Sequence, residues 1–88
     1  MNDSEQSTTT AMNLYQQALV YLRQQQFQEA IISCQQALKY QPEFALAYKT
    51  IGVALQVQGQ EEEAQKYYLK ALEIQPDLAE VYANLGNI

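Results

Sequence analysis

Residues 37–48 read ALKYQPEFALAY, and residues 71–82 read ALEIQPDLAEVY. Half of the positions in the two stretches are identical, and Glu43 is matched in charge by Asp77. Pro42 and Pro76 lie 34 residues apart, and the same offset aligns residues 11–44 with residues 45–78 without a gap. A fixed period of this length predicts a repeat protein in which each unit is one supersecondary element.

Each unit is predicted to be a pair of helices. The abundance of Gln, Ala, Leu and Glu favours helix, and no stretch alternates apolar and polar residues as a strand would. Pro42 and Pro76 disfavour helix at the preceding residue and suit the first turn of the next helix. Gly59 lies midway between them, where a helix-to-helix turn needs a permissive backbone. We expect helices near residues 10–24, 27–40, 44–57, 61–74 and 77–87.

The arrangement of small and large side chains within each unit resembles the tetratricopeptide repeat, a 34-residue helix–turn–helix element. The second unit matches the family pattern with Tyr48, Ile51-Gly52, Leu55, Ala64, Tyr68, Ala71 and Pro76. The first unit has Leu14, Gln17-Ala18, Tyr21, Ala30, Cys34, Ala37 and Pro42, and a third begins with Tyr82 and Leu85-Gly86. The resemblance implies an all-α fold, an α-solenoid of about two and a half units in a right-handed superhelix.

The resemblance also implies a domain organisation. Residues 1–10 are expected to be a flexible polar tail, residues 11–44 and 45–78 two complete units, and residues 79–88 the first helix of a truncated third unit from a longer array. Two departures from the family pattern lie in the first unit. Gln17 replaces a core Leu, so this unit is expected to be the looser one, and Gln25 replaces the turn Gly.

Composition excludes several classes of function. The 10 acidic and 5 basic residues give a net charge of −5, which makes nucleic acid and anionic membranes poor partners. No apolar run is long enough to span a bilayer, and the N-terminus lacks the features of a signal peptide. The chain has no His and a single Cys, Cys34, so no metal site, cofactor or catalytic set is expected. The sequence predicts a non-catalytic cytoplasmic protein.

In the family, the first helix of each unit lines a concave side that binds peptides. The resemblance implies that this side carries Met12, Tyr15, Leu19, Leu22 and Arg23, then Leu46, Lys49, Val53, Gln56 and Val57, and finally Glu80, Ala83 and Asn87. Asn84 lies where some family members place an Asn in every unit, and Gln16 and Thr50 hold the equivalent positions. Contiguous apolar groups on an exposed face indicate an interaction site. We therefore predict a protein–protein interaction scaffold that binds an apolar peptide or helix, with Arg23 and Lys49 orienting a carboxylate or carbonyl.

Three other interpretations stay open. The apolar residues could pack on neighbouring units or on the tail. The chain could be the docking or substrate-presenting arm of a larger enzyme, such as a glycosyltransferase, or it could self-associate through its third unit. Family members that clamp an acidic C-terminus use Lys, Asn and Arg, and the matching positions here are Tyr15, Leu19, Thr50, Glu80 and Asn84. We therefore do not expect an adaptor for acidic tails.

Overall fold

The computed structural model describes residues 3–87, and these residues form an all-α array without strands. The five helices are α1 (Asp3–Arg23), α2 (Phe27–Tyr40), α3 (Ala45–Val57), α4 (Glu61–Ile74) and α5 (Ala79–Gly86). Helices α1 and α2 pack together as one pair and α3 and α4 as the next, while α2 contacts α3 and α4 contacts α5. The array is elongated, with principal extents of 44 × 28 × 17 Å. The predicted all-α solenoid is confirmed.

Helix α1 begins earlier than the sequence predicted. Its first turns include residues 3–10, which were expected to form a flexible tail ahead of a helix starting near residue 10. Adding residues to the end of an existing helix is favourable, because the costly first turn is already formed. Ala11, which follows residues 3–10 in α1, is completely buried and anchors this end of the helix. The Gln41 side chain also donates a hydrogen bond of 2.9 Å to Thr8 Oγ1. Residues 1, 2 and 88, which the predicted tail and third unit include, lie outside the described residues.

The two turns inside the helix pairs have the same geometry. Gln25 and Gly59, which are equivalent in the repeat, both adopt a positive φ, of 62° and 83°. The backbone N–H of Gln26 bonds to the Tyr21 carbonyl at 2.8 Å, and that of Gln60 bonds to the Leu55 carbonyl at 2.9 Å. The first turn therefore forms without glycine, because the same hydrogen bonds hold Gln25 in a left-handed conformation.

The core runs along the seam between the helix pairs. The largest completely buried side chains are Tyr68, Ile51, Val81, Thr50 and Cys34. The two units fill equivalent core positions with side chains of different size. Cys34 occupies in α2 the position that Tyr68 occupies in α4, and Ala18 is the counterpart of Gly52. A large ring therefore faces a glycine in one unit, and the equivalent positions of the other unit hold a small thiol and an alanine.

Gln17 is exposed, although its equivalent Ile51 is buried. Asn13 is exposed in the same way, whereas its equivalent Ala47 is completely buried. The reason is position, because Ile51 and Ala47 lie on a helix that packs against a preceding unit, and α1 has no such neighbour in the part of the chain that the structure describes. Gln17 thus lies on a face of α1 that no other described helix covers, and it does not occupy a core position.

Candidate functional site

A groove crosses the first helices of the three units. A cavity of about 330 Å³ opens on this side and is lined by Leu19, Leu22, Lys49, Thr50, Val53, Glu80, Ala83 and Asn84. These residues come from α1, α3 and α5, which lie side by side because the period of the repeat gives each unit the same orientation. Seven of the residues predicted for this side share the cavity, namely Leu19, Leu22, Lys49, Val53, Glu80, Ala83 and Asn84.

The apolar part of the groove belongs partly to the core. Leu22 and Val53 are half-buried and pack against the core cluster, and Leu19 is half-buried beside them in the cavity. Each of these side chains keeps some surface in water, and covering the remainder would stabilise a bound ligand at about 25 cal/mol per Å². The groove therefore offers an apolar floor with a fixed shape.

An ion pair crosses the groove. Lys49 Nζ lies 2.6 Å from Glu80 Oε1, with the Lys49 side chain only 17% exposed and that of Glu80 71% exposed. The hydrogen bond and positive charge of Lys49 hold the pKa of Glu80 below its ordinary value. The sequence predicts that Lys49 orients a carboxylate or carbonyl of a ligand. In this structure the ammonium group of Lys49 is already paired with the Glu80 carboxylate of the same chain.

Thr50 and Asn84 supply neutral polar groups to the same cavity. Thr50 is completely buried, and its Oγ1 has no hydrogen-bond partner among the described residues. Burying a hydroxyl group without a hydrogen bond lowers the stability of the folded protein, and such groups are rare. Asn84 is half-buried and bonds to the Tyr68 hydroxyl, and this bond offsets part of the rise that burial causes in the pKa of Tyr68.

Two predicted groove residues have partners inside the protein. The ring of Tyr15 is buried, with its centroid 5.0 Å from that of Phe44. Gln56 accepts a 2.5 Å hydrogen bond from the Tyr68 hydroxyl and donates one of 3.4 Å to the Asn84 carbonyl. These side chains join α1 to the loop before α3, and α3 to α4 and α5. The structure thus gives Tyr15 and Gln56 roles in packing rather than a free surface in the groove.

The other predicted groove residues lie outside this cavity. Met12 and Leu46 share a smaller cavity of about 240 Å³ at the beginning of α3, together with Thr8, Gln41, Glu43, Phe44, Ala45 and Gln75. Arg23 is exposed at the end of α1, and Val57 is exposed at the end of α3. Asn87 is exposed and follows α5 as its C-cap.

Sequence reasoning overlooked the pairing of Lys49 with Glu80. The signal was present, because Glu80 is the repeat equivalent of Leu46 and so lies on the face of α5 that meets α3. The position of Lys49 on α3 therefore faces the position of Glu80 on the neighbouring first helix, α5. Opposite charges there predict an ion pair once the period is known.

Among residues 3–87, no group of three or more His, Cys, Asp or Glu side chains could hold a metal ion. No helix in this range has both the length and the hydropathy needed to cross a membrane.

Comparisons with known proteins agree with this architecture. The chain is similar to a crystal structure of MamA, with a TM-score of 0.84 and 26% sequence identity over 91% of this chain and 47% of that one. It is also similar to a second structure, of MamA protein, with a TM-score of 0.71 and 34% identity over 80% of this chain and 38% of that one. The chain thus spans less than half the length of these structures. No curated protein sequence matches it.

The profile of the tetratricopeptide repeat matches residues 11–44 and again residues 45–78. Together the two matches cover most of the chain, and the fold and its neighbours support a protein-interaction scaffold. The chain belongs to the tetratricopeptide repeat family.

Proposed function

We propose that the chain is a non-catalytic scaffold that binds an apolar peptide or helix in the groove formed by α1, α3 and α5. The observation that carries this proposal is the single cavity that Leu19, Leu22 and Val53 line together with Thr50 and Asn84. Concave sites with apolar walls and a few polar groups are typical of ligand-binding surfaces. The apolar side chains supply affinity, and the polar ones fix the register of the ligand.

Electrostatics restrict the ligand further. Lys49 is neutralised by Glu80, and the chain carries a net charge of −5. Arg23 lies exposed at the end of α1 and does not line the cavity. An acidic peptide would therefore meet no free cation in the cavity and would be repelled by the protein as a whole. The groove suits an uncharged apolar segment best.

The test selects ligands from a phage-displayed library of random 12-residue peptides against the full chain, and then measures individual peptides by fluorescence anisotropy. We expect selected peptides to be apolar and uncharged at their centre. Leu19→Asp places a charge on the groove floor and should weaken binding roughly tenfold or more, since it buries an unpaired carboxylate.

Ile32→Asp is the matched control. Ile32 is an exposed aliphatic residue on α2, outside the groove, so the same change in charge should leave peptide affinity unaltered. Circular dichroism of both variants checks that the helices are retained. Equal binding by the wild-type protein and the folded Leu19→Asp variant would show that ligands bind elsewhere.

A further inference from the structure

We infer, on the basis of the proposed function of the groove, that its ligand is an amphipathic helix and not an extended peptide. The helix lies along the seam between α1 and α3, which Met12 and Leu19 line on one side and Leu46 and Val53 on the other. Its buried face carries apolar residues seven positions apart, and its two ends carry basic residues.

Two cavities open along this seam. The smaller one, of about 240 Å³, has Met12 and Leu46 in its lining, and the larger one, of about 330 Å³, has Leu19 and Val53. Leu19 follows Met12 by seven residues, and Val53 follows Leu46 by the same number. Because an α-helix rises about 1.5 Å per residue, the two cavities are about 10.5 Å apart along both helices. The seam therefore offers two apolar subsites at a separation that α1 and α3 fix.

This separation matches a helical ligand. Residues seven apart in a helix lie on the same face, about 10.5 Å from each other along the axis. In an extended peptide, the side chains of one face recur about every 6.8 Å, so the next falls short of the second cavity and the one after lies beyond it. A helix whose axis follows the seam can thus fill both cavities at once, and an extended chain on the same path fills one.

The polar groups beside the seam also favour a helix. An extended peptide needs hydrogen-bond partners for the N–H and C=O groups that it buries, whereas a helix bonds its own. The ammonium group of Lys49 is paired with Glu80. Asn84 is bonded to the Tyr68 hydroxyl, and the Oγ1 atom of Thr50 is shielded from solvent. The larger cavity thus has few polar atoms to offer an extended backbone.

The charges at the rim of the seam favour a ligand with basic ends. Glu80 lines the larger cavity and Glu43 the smaller one, and both are exposed. Lys49 is largely buried and bonds to one oxygen of Glu80, so a carboxylate that can accept further hydrogen bonds stays accessible there. Arg23 lines neither cavity. With its net charge of −5, the chain attracts a helix that carries a lysine at each end.

The experiment uses a synthetic 16-residue peptide with leucine at its positions 3, 6, 10 and 13, lysine at both ends, and alanine or glutamine elsewhere. A control peptide of the same composition has its leucines at positions 5, 7, 9 and 11, the alternation that suits an extended ligand. Fluorescence anisotropy measures the binding of both to the full chain. We expect the heptad peptide to bind at least about tenfold more tightly than the alternating one.

Two modified forms of the heptad peptide test its conformation directly. A staple between positions 8 and 12, on the face away from the leucines, should tighten binding, because it lowers the entropy cost of ordering a helix of marginal length. A proline at position 8 should weaken binding roughly tenfold or more, because it breaks the helix between the two subsites.

The decisive protein variant is Met12→Asp, and Ile32→Asp is its matched control. The two side chains are exposed to nearly the same extent, 44% and 45%, but Ile32 lies on α2, outside the seam. Met12→Asp should weaken binding of the heptad peptide roughly tenfold, because it places a charge in the smaller cavity, and Ile32→Asp should leave it unaltered. Circular dichroism checks that both variants keep their helices.

Leu19→Asp separates the helical ligand from the proposed function of the groove. If no peptide binds in a way that Leu19→Asp weakens, the proposed function fails, and the helical ligand with it. If Leu19→Asp weakens binding, any of three results overturns the helical ligand alone: equal binding of the alternating peptide, full binding of the proline peptide, or full binding by Met12→Asp. A dimer in sedimentation that Met12→Asp dissociates would also overturn it, because a second copy would then occupy the seam.

Discussion

Tyr68 lies so close to Gly52 that neither residue can be enlarged without moving the other. A Cβ at residue 52 would lie 2.5 Å from Tyr68 Cε1 and 2.7 Å from Cδ1. The ring cannot turn away freely, because it is completely buried and its hydroxyl is bonded to Gln56. The contact therefore fixes the distance between α3 and α4.

We expect Gly52→Ala to lower the free energy of unfolding by about 1–3 kcal/mol, the usual cost of overpacking, despite the higher helix propensity of alanine. Urea denaturation measures the change. In a Tyr68→Leu background the penalty should become smaller, because the clashing ring is absent, and this coupling can be read from a double-mutant cycle. Equal penalties in both backgrounds would refute the proposed contact.

Gln25→Gly should stabilise the protein by about 0.5–1 kcal/mol. Gln25 has a φ of 62°, a conformation that costs side-chain-bearing residues about 1–2 kcal/mol and that glycine adopts readily. Thermal unfolding gives the comparison, and Gly59→Ala, the reverse exchange at the equivalent turn, should destabilise it. A gain from alanine at residue 59 would contradict the argument.

The ion pair between Lys49 and Glu80 should make stability depend on pH. The pKa of Glu80 is lowered in the folded state, so the pair contributes fully above the ordinary carboxyl value of 4.5, and its contribution is lost as the pH falls through the lowered pKa. An NMR titration of the Glu80 carboxyl group should show this shift, and Lys49→Met should return the pKa towards 4.5. An unchanged Glu80 titration in Lys49→Met would mean that another group causes the shift.

Cys34 should be unreactive in the folded protein. Burial raises the pKa of its thiol to about 12, and the thiolate is the reactive species. We expect a thiol reagent at pH 8 to modify Cys34 only after unfolding, while Gln35→Cys, at the exposed neighbouring position, reacts at once. Because the folded pKa is raised, stability should also decline as the pH rises above about 9, where the unfolded thiol loses its proton.

Equivalent positions in the two units should differ in their sensitivity to an exchange between a polar and an aliphatic side chain. Gln17→Leu should change the free energy of unfolding by less than about 0.5 kcal/mol, because Gln17 is exposed on α1. Ile51→Gln should cost about 2–5 kcal/mol, because it buries a polar group in the core and removes an aliphatic one. Equilibrium unfolding in urea measures both. Similar effects at the two sites would contradict the assignment of Gln17 to an uncovered face of α1.

The period of the sequence predicted most of the fold. Pro42, Pro76 and Gly59 mark the ends of helices, and the bounds predicted for α2 and α4 agree with the structure. Gly59 and Pro76 lie on either side of α4, and the 34-residue period transfers the start of α4 to α2, which has no glycine in the turn before it. The start of α1 was wrong because residues 3–10 carry no breaker and their polar composition alone does not decide between helix and tail.

The groove was predictable only in part. A resemblance assigns positions to a face, and this brought Leu19, Leu22 and Val53 together correctly in one cavity. It cannot say which side chains on that face turn inward. Tyr15 turns towards Phe44 and Gln56 towards Tyr68, since each has a partner whose location depends on tertiary packing.

The bond from Tyr48 to the Pro42 carbonyl, and its repetition from Tyr82 to the Pro76 carbonyl, has a mechanical consequence. Each bond joins a first helix to the loop that precedes it, within a span of six residues, at the joint where one unit meets the next. Each bond therefore restrains locally the angle between a first helix and the loop before it. Because the same bond recurs at the same place in successive units, the restraint repeats along the array with the period of the sequence.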